Sequence, residues 1–138
     1  MSIFKLKSAK PEAEAIADDR KRFGQKSEDA IARFLRRNGY KILERNYRTP
    51  LGEIDIIAKH NKALVFVEVK ARRSANYGDP KWAITPAKQR KISMVALAYL
   101  KQYGSSATKA RFDVVTVLHT NETPHIEVIA NAFELAYP

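Results

Sequence analysis

Apolar positions recur along the chain with two different periods, and these periods predict its secondary structure. In residues 24–38, apolar side chains such as Ile31 and Leu35 fall on one stripe, which predicts a helix. A second helix is predicted from Thr85, a hydroxyl cap followed by proline, to about Tyr103. Alternating runs rich in Val and Ile predict five strands, at residues 40–47, 53–59, 64–72, 111–118 and 126–129.

This order of elements, α-β-β-β-α-β-β, predicts the fold class. A helix that follows an antiparallel hairpin indicates an α/β fold with a mixed sheet and helices packed on it. Residues 1–19 show no clear period, and we interpret them as a loose N-terminal arm. Residues 20–138 are expected to form a single domain, because the chain of 138 residues has the length of one ordinary domain.

The distribution of charge points to a polyanionic partner. The chain has 25 Lys and Arg against 15 Asp and Glu, a formal net charge of +10. The excess is concentrated in residues 20–48 and 69–112. Such segments favour nucleic acid over a membrane surface, since no strongly amphipathic basic terminal helix is present. The alternative is a basic surface that only faces solvent.

The rest of the composition excludes several classes of protein. The chain has no cysteine, which excludes disulfides, thiol catalysis and cysteine-based zinc sites. No apolar run approaches the ~20 residues of a membrane span, and the first residues lack the pattern of a signal peptide. We therefore expect a cytoplasmic protein with no membrane partner, whose metal, if it has one, is held by oxygen.

The predicted strand with Val-Glu-Val-Lys at its centre carries the candidate chemistry. Glu68 and Lys70 share one face of that strand, and Asp55 lies among apolar residues of the preceding strand. A four-residue loop at residues 60–63 sets Asp55 opposite Glu68, whereas a two-residue loop is expected to set Glu53 there. Either loop gathers Asp55, Glu68 and Lys70 on one face.

Two neighbouring carboxylates in an apolar sheet repel each other, which favours a bound hard cation such as Mg²⁺. The alternative is a structural ion pair in which Lys70 neutralises both acids. Glu28 falls on the buried stripe of the first helix, where an acid needs a partner or a cation, unless it reaches solvent at the boundary. Glu53 is either a further acid of the site or a rim charge paired with a basic residue.

The start of the second helix offers a separate indication. Lys88, Arg90 and Lys91 crowd its first turns, where the helix dipole disfavours cations, and this favours a bound phosphate. Gln89 is a candidate to hold a water or a phosphate oxygen. A helix start that is basic and only solvated is the alternative.

Together these motifs resemble one family. The chain looks like the YraN-like bacterial proteins, which belong to the restriction-endonuclease-like, PD-(D/E)XK, nuclease superfamily. The resemblance covers about residues 23–133 and implies a mixed central sheet flanked by helices. It rests on Glu28, Gly52-Glu53-Ile54-Asp55, Phe66-Val67-Glu68-Val69-Lys70-Ala71-Arg72, Lys88-Gln89 and Arg111-Phe112-Asp113-Val114-Val115.

The resemblance also implies roles for individual residues. The superfamily motif, an Asp followed by Glu-x-Lys, implies that Asp55, Glu68 and Lys70 are catalytic. The implied ligands of Mg²⁺ or Mn²⁺ are Asp55, Glu68, the Val69 carbonyl and Glu28, which resembles the helical acid of archaeal Holliday-junction resolvases.

We therefore expect a metal-dependent nuclease that acts on DNA, with a preference for branched or single-stranded regions. The residues predicted to contact nucleic acid are Arg72, Arg73, Tyr77, Trp82, Lys88, Gln89, Arg90 and Lys91. The rival hypothesis is a non-catalytic nucleic-acid-binding module in a repair, recombination or DNA-uptake complex. RNA as the partner and a homodimer as the assembly both stay open.

Overall fold

The computed structural model describes residues 12–72, 84–105, 107–120 and 123–135. Within these ranges, two helices and five strands follow the predicted order, and they confirm the α/β fold class. In chain order the elements are α1 (Glu12–Arg37), β1 (Lys41–Thr49), β2 (Gly52–His60), β3 (Ala63–Arg72), α2 (Pro86–Tyr103), β4 (Lys109–Thr120) and β5 (Thr123–Phe133). No helix in these ranges is long and apolar enough to cross a membrane.

The five strands form one mixed sheet in the order β1-β2-β3-β4-β5. Neighbouring strands are antiparallel except β3 and β4, which run parallel and are joined through α2. A parallel pair needs such a crossover because its strands begin at the same edge of the sheet. The central strand β3 consequently has its residues buried on both sides.

The two helices cover opposite faces of the sheet. Ile31 and Leu35 of α1 pack with Val65 and Val67 of β3, in what we call the α1-side core. On the other face, Ile92, Val95, Ala96 and Tyr99 of α2 pack with Leu64 and Phe66, in the α2-side core. Side chains alternate between the two faces along β3, which separates these two sets, and Glu68 lies on the same face as Phe66.

Two elements differ from their predicted bounds by three residues or more at one or both ends. The first helix begins at Glu12 rather than near residue 24, so residues 12–19 are helical rather than loose. This stretch is rich in Ala, Glu and Asp, and basic residues follow it. Ala and Glu favour a helix through their intrinsic propensity, although no stripe of apolar residues indicates one here. The last strand extends from Thr123 to Phe133, longer than predicted, because an edge strand needs few buried positions. The division into arm and domain otherwise stays a prediction.

The turn between β2 and β3 fixes the register of the two strands that carry the acids. It consists of Asn61 and Lys62, both at positive φ (49° and 67°), and His60 pairs with Ala63. The register expected for a two-residue loop, with Glu53 opposite Glu68, is therefore wrong. The loop is shortened by one residue on each side, so the register equals that of a four-residue loop.

A buried polar network ties the end of α1 to β4. The fully buried Asp113 carboxylate accepts two hydrogen bonds from Arg111, at 2.9 Å each, and one from the Tyr40 hydroxyl at 3.0 Å. The Asn131 backbone N–H donates a further bond to it at 2.9 Å. The stacked ring of His60 lies 3.9 Å from that of Tyr40. A buried charge needs such complete pairing, so this network accounts structurally for the Arg-Phe-Asp motif.

Candidate active site

The two predicted carboxylates meet where the β2–β3 ladder ends. The last backbone pair is Ile56 with Val67, and the register continued by one residue sets Asp55 opposite Glu68. Instead of a ladder bond, the Val69 backbone N–H donates to the Asp55 carboxylate at 2.8 Å. The side chain of Asp55 thus replaces a backbone acceptor and is held beside β3.

A change of face in β2 accompanies this arrangement. Strict alternation puts Ile54 and Ile56 on one face, yet Ile54 packs in the α2-side core and Ile56 in the α1-side core. On β1, Asn46 has a positive φ of 53° and lies between the partners of Ile54 and Ile56. Asp55 therefore stands where both strands twist. The sequence signal for the change is Asn46, since Asn tolerates the left-handed region better than most residues.

Glu68 is buried, with 7% of its surface exposed, and its surroundings disfavour its charge. Burial first, and then the charge of Asp55, raise the pKa of Glu68 from its ordinary 4.5 to about 7. Lys88 at the start of α2 opposes this effect, with Nζ 3.8 Å from Oε1 of Glu68, and so does Lys70. Since the pKa still rises, the two lysines do not offset the loss of hydration.

Burial and neighbouring charges also shift the pKa of Asp55. Burial raises its pKa, while the hydrogen bond from Val69 lowers it. The charge of Glu28 on α1 also raises the pKa of Asp55, which places this predicted acid within electrostatic reach. Glu53 forms an ion pair with Arg48, with Oε2 3.1 Å from Nε, as the rim-charge alternative predicted, and its charge also raises the pKa of both Asp55 and Glu68.

The acids form a pair of close carboxylates with two more distant ones. Among the residues the structure describes, no three His, Asp or Glu side chains are grouped closely enough to hold a metal ion together. Mg²⁺ is commonly bound by one or two carboxylates while it keeps several waters. The donor set of Asp55, Glu68 and the Val69 carbonyl fits such a cation, and Glu28 acts on the site through its charge on Asp55.

Lys70 follows the pair on β3 and is half-buried. Lys70 lies on the same face of β3 as Glu68, and its charge lowers the pKa of Glu68. The structure therefore gathers Asp55, Glu68 and Lys70, as the parity argument predicted.

Two side chains at the start of α2, those of Lys88 and Gln89, contact other parts of the protein. Thr85 caps the helix as predicted and accepts a hydrogen bond from the Lys88 backbone N–H at 3.1 Å. The side-chain amide of Gln89 donates to the Ile84 carbonyl at 3.0 Å, so this group positions the chain before the helix. Arg90 and Lys91 are exposed to solvent. Sequence reasoning missed the contact of Lys88 with Glu68, because it joins two elements that are distant along the chain.

The remaining predicted nucleic-acid contacts have no described side chains. Arg72 ends β3, where its backbone pairs with Leu118. Arg73, Tyr77 and Trp82 lie outside the described residues. The described basic residues of α1 and of α2 lie on helices that cover opposite faces of the sheet.

The raised pKa of Glu68 leads to a pH-dependent prediction. The unfolded chain binds this proton only below about pH 4.5 and the folded protein below about pH 7, so the free energy of unfolding falls as the pH rises between these values. Glu68→Gln cannot ionise, and we expect it to be more stable than the wild type by about 3 kcal/mol at pH 8 and equal to it at pH 4. Denaturant melts in EDTA across this range measure the difference.

Glu53→Gln serves as the matched control, because it removes an exposed acid of the same cluster. Its free energy of unfolding should change with pH almost as that of the wild type does, because the charge of Glu53 is the weakest of the effects on the pKa of Glu68. If the stability of Glu68→Gln also ran parallel to that of the wild type, the pKa of Glu68 would be the same in the folded and unfolded protein.

Comparison with known proteins identifies relatives over most of the chain. The model of a family described as "Uncharacterised protein family UPF0102" matches residues 27–117. A UPF0102 protein of Desulfosudis oleivorans is 52% identical over 119 residues, which cover 86% of this chain and 95% of the relative. One of Geobacter sulfurreducens is 51% identical over 115 residues, covering 83% and 90%. These matches confirm the resemblance to the YraN-like family.

Proposed function

We propose that this chain, which belongs to the family UPF0102, is a metal-dependent nuclease that cleaves phosphodiester bonds in DNA. The observation that carries the proposal is the pair Asp55 and Glu68. Both acids have a raised pKa, and they are held side by side although their charges repel. A fold gains no stability from such a pair, whereas a cation and a phosphate substrate make use of it.

Each residue of the site has a role in this proposal. Asp55, Glu68 and the Val69 carbonyl would hold Mg²⁺ or Mn²⁺. The bound ion supplies Lewis-acid chemistry: it neutralises a phosphate and lowers the pKa of a water. The Lys70 ammonium group would position the attacking water or stabilise the charge that develops on the phosphate oxygens. The Val69 N–H keeps the Asp55 carboxylate oriented toward β3 before substrate arrives.

Lys88 would change partners when the site is loaded. In this structure it is the cation beside Glu68, at 3.8 Å, and it is half exposed on the first turn of α2. Once a metal ion offsets the charge of Glu68, the flexible ammonium group is free to turn toward a substrate phosphate. This role agrees with the predicted placement of Lys88 in the nucleic-acid interface.

A non-catalytic nucleic-acid-binding module is the second candidate. The contact between Lys88 and Glu68 favours it, because a lysine in that position competes with a metal ion for the carboxylate. The intact set of two acids and Lys70 favours the nuclease. These two functions differ in one measurable property, which is cleavage.

A cleavage panel tests the proposal. The full chain is incubated with single-stranded, duplex and four-way-junction DNA and with matching RNA, in Mg²⁺, Mn²⁺ or EDTA. We expect cleavage of DNA that requires the metal and is fastest on branched or single-stranded substrates. Binding without cleavage on every substrate would support the binding module, and cleavage confined to RNA would refute the proposed substrate class.

A further inference from the structure

A concave site that is separate from the acidic pair lies beside the β2–β3 turn. It is a cavity of about 650 Å³ between the β2–β3 turn and the end of α2. Lys59, Lys62 and Lys109 line it together with Tyr99, Tyr103 and the Thr108 side of the following loop. We call it the lysine–tyrosine pocket. Its volume is in the range of sites that bind small organic groups such as a nucleobase.

The aromatic wall of this pocket consists of one buried ring and one ring that is exposed to solvent. Tyr99 is buried, and its ring is held edge-on against those of Tyr47 and Phe66. Tyr103, one turn later on α2, packs on Tyr99 with ring centroids 4.8 Å apart but stays 61% exposed. An exposed aromatic ring with a rigid support offers a stacking surface at little entropic cost.

The charges around the pocket are almost all positive. All three lysines are exposed, and none forms an ion pair with an acid in the described part of the chain. Among the described residues, no acidic side chain lines the pocket. One acid is close: burial and then the charge of Glu44 raise the pKa of the Tyr99 phenol. The surroundings as a whole therefore attract an anion.

The pocket and the acidic pair lie on the same face of the sheet. Leu64, which lines the pocket, and Glu68 are four residues apart on β3, which corresponds to about 13 Å. Along α2, Lys88 and Tyr103 are 15 residues apart, or about 22 Å. Helically spaced nucleotides rise about 3.4 Å each, so these distances correspond to about four to seven nucleotides.

We infer that the lysine–tyrosine pocket binds single-stranded nucleic acid, with a base stacked on Tyr103 and phosphates near the three lysines. Stacking is tolerant of sequence because every base has an aromatic face, and lysines recognise only the backbone. The strand would continue along α2 toward the acidic pair. This continuation rests on the proposed nuclease function, whereas binding in the pocket does not.

The test measures binding in EDTA, where no cleavage occurs. Fluorescence anisotropy with a labelled 12-nucleotide single-stranded DNA is recorded at several salt concentrations. Tyr103→Ala should bind roughly tenfold more weakly, and Tyr103→Phe, which keeps the ring, should bind as the wild type does. Replacing Lys59, Lys62 and Lys109 together by Ala should reduce the slope of log affinity against log salt by about 2. Glu44→Gln should bind more tightly than the wild type.

The matched control replaces Arg33, Arg36 and Arg37, which lie on α1 at the opposite face, by Ala. It removes the same charge and should leave the salt slope unchanged. Melting curves check that each variant is folded, and Tyr103→Leu removes the ring while it keeps apolar bulk. An equal loss of slope in the control, or wild-type affinity in both Tyr103→Ala and Tyr103→Leu, would overturn the inference.

Absence of binding by the wild type would overturn the inference as well. The proposed nuclease function fails on a different observation. A protein that shows the expected binding pattern but never cleaves retains the pocket and loses the nuclease. A protein that cleaves DNA with its binding unaffected by the pocket variants retains the nuclease and loses the pocket.

Discussion

Lys70→Ala should reduce DNA cleavage by roughly 10²-fold or more and leave DNA affinity within a few-fold of the wild type. The reason is that Lys70 is half-buried and lies beside Glu68 on β3. Its positive charge would there stabilise the negative charge that develops on a phosphate during attack. A contact made in the transition state affects kcat rather than ground-state binding. Single-turnover cleavage and anisotropy on the same substrate measure the two quantities separately.

The variant should also change the pH profile. Lys70 lowers the pKa of Glu68, so its removal raises that pKa further, and the residual activity should require a higher pH. Lys41→Ala, which removes an exposed lysine from the edge strand β1, is the control and should cleave at the wild-type rate. A Lys70→Ala protein that cleaves as fast as Lys41→Ala would exclude Lys70 from catalysis.

The part of the site that the sequence predicts is the part that depends on strand parity. Glu68 and Lys70 share a face because they are two residues apart on one strand. Asp55 joins them because the hairpin loop has an even number of residues in either register. The length of the turn did not have to be known, which is why an incorrect expectation for the two-residue loop left the predicted site unchanged.

The part that the sequence does not predict depends on contacts between elements. Lys88 is on a helix that begins 14 residues after the last strand residue, and no local pattern indicates that it faces Glu68. The placement of the two helices on opposite faces is likewise a property of the crossover. It puts the basic residues of α1 and those of α2 on opposite faces of the sheet.

The first helix and the Arg111–Asp113 network show two further limits. The sequence prediction of this helix depends on an apolar stripe, and residues 12–23 have helix-forming residues without one, so the pattern does not indicate where the helix begins. An Arg and an Asp two residues apart in an apolar strand indicate a buried ion pair only after the partners Tyr40 and Asn131 are known. Both partners are distant along the chain.

Asp55→Asn separates a metal site from a structural ion pair without any substrate. In the wild type, Asp55 and Glu68 repel each other, and a bound cation relieves that repulsion. We expect Mn²⁺ or Mg²⁺ at about 100 times the dissociation constant to stabilise the wild type by about 2.7 kcal/mol. Asp55→Asn keeps the shape of the side chain and an oxygen that accepts the Val69 N–H bond, but it loses most of the metal affinity. In EDTA it should therefore melt at or above the wild type, and metal should barely change its melting temperature.

Thermal melts in EDTA, Mg²⁺ and Mn²⁺ decide between the two interpretations, with Glu53→Gln as the control. Glu53 is paired with Arg48 at the rim, so its substitution removes an acid while it leaves the close pair intact, and the metal response should persist. A structural ion pair predicts the reverse pattern for Asp55→Asn, since Lys88 and Lys70 would lose a neighbouring negative charge. The raised pKa of both acids argues against that pattern, because a net stabilising ion pair lowers the pKa of its carboxylate. A clearly destabilised Asp55→Asn together with a wild type that does not respond to metal would refute the assignment of this site.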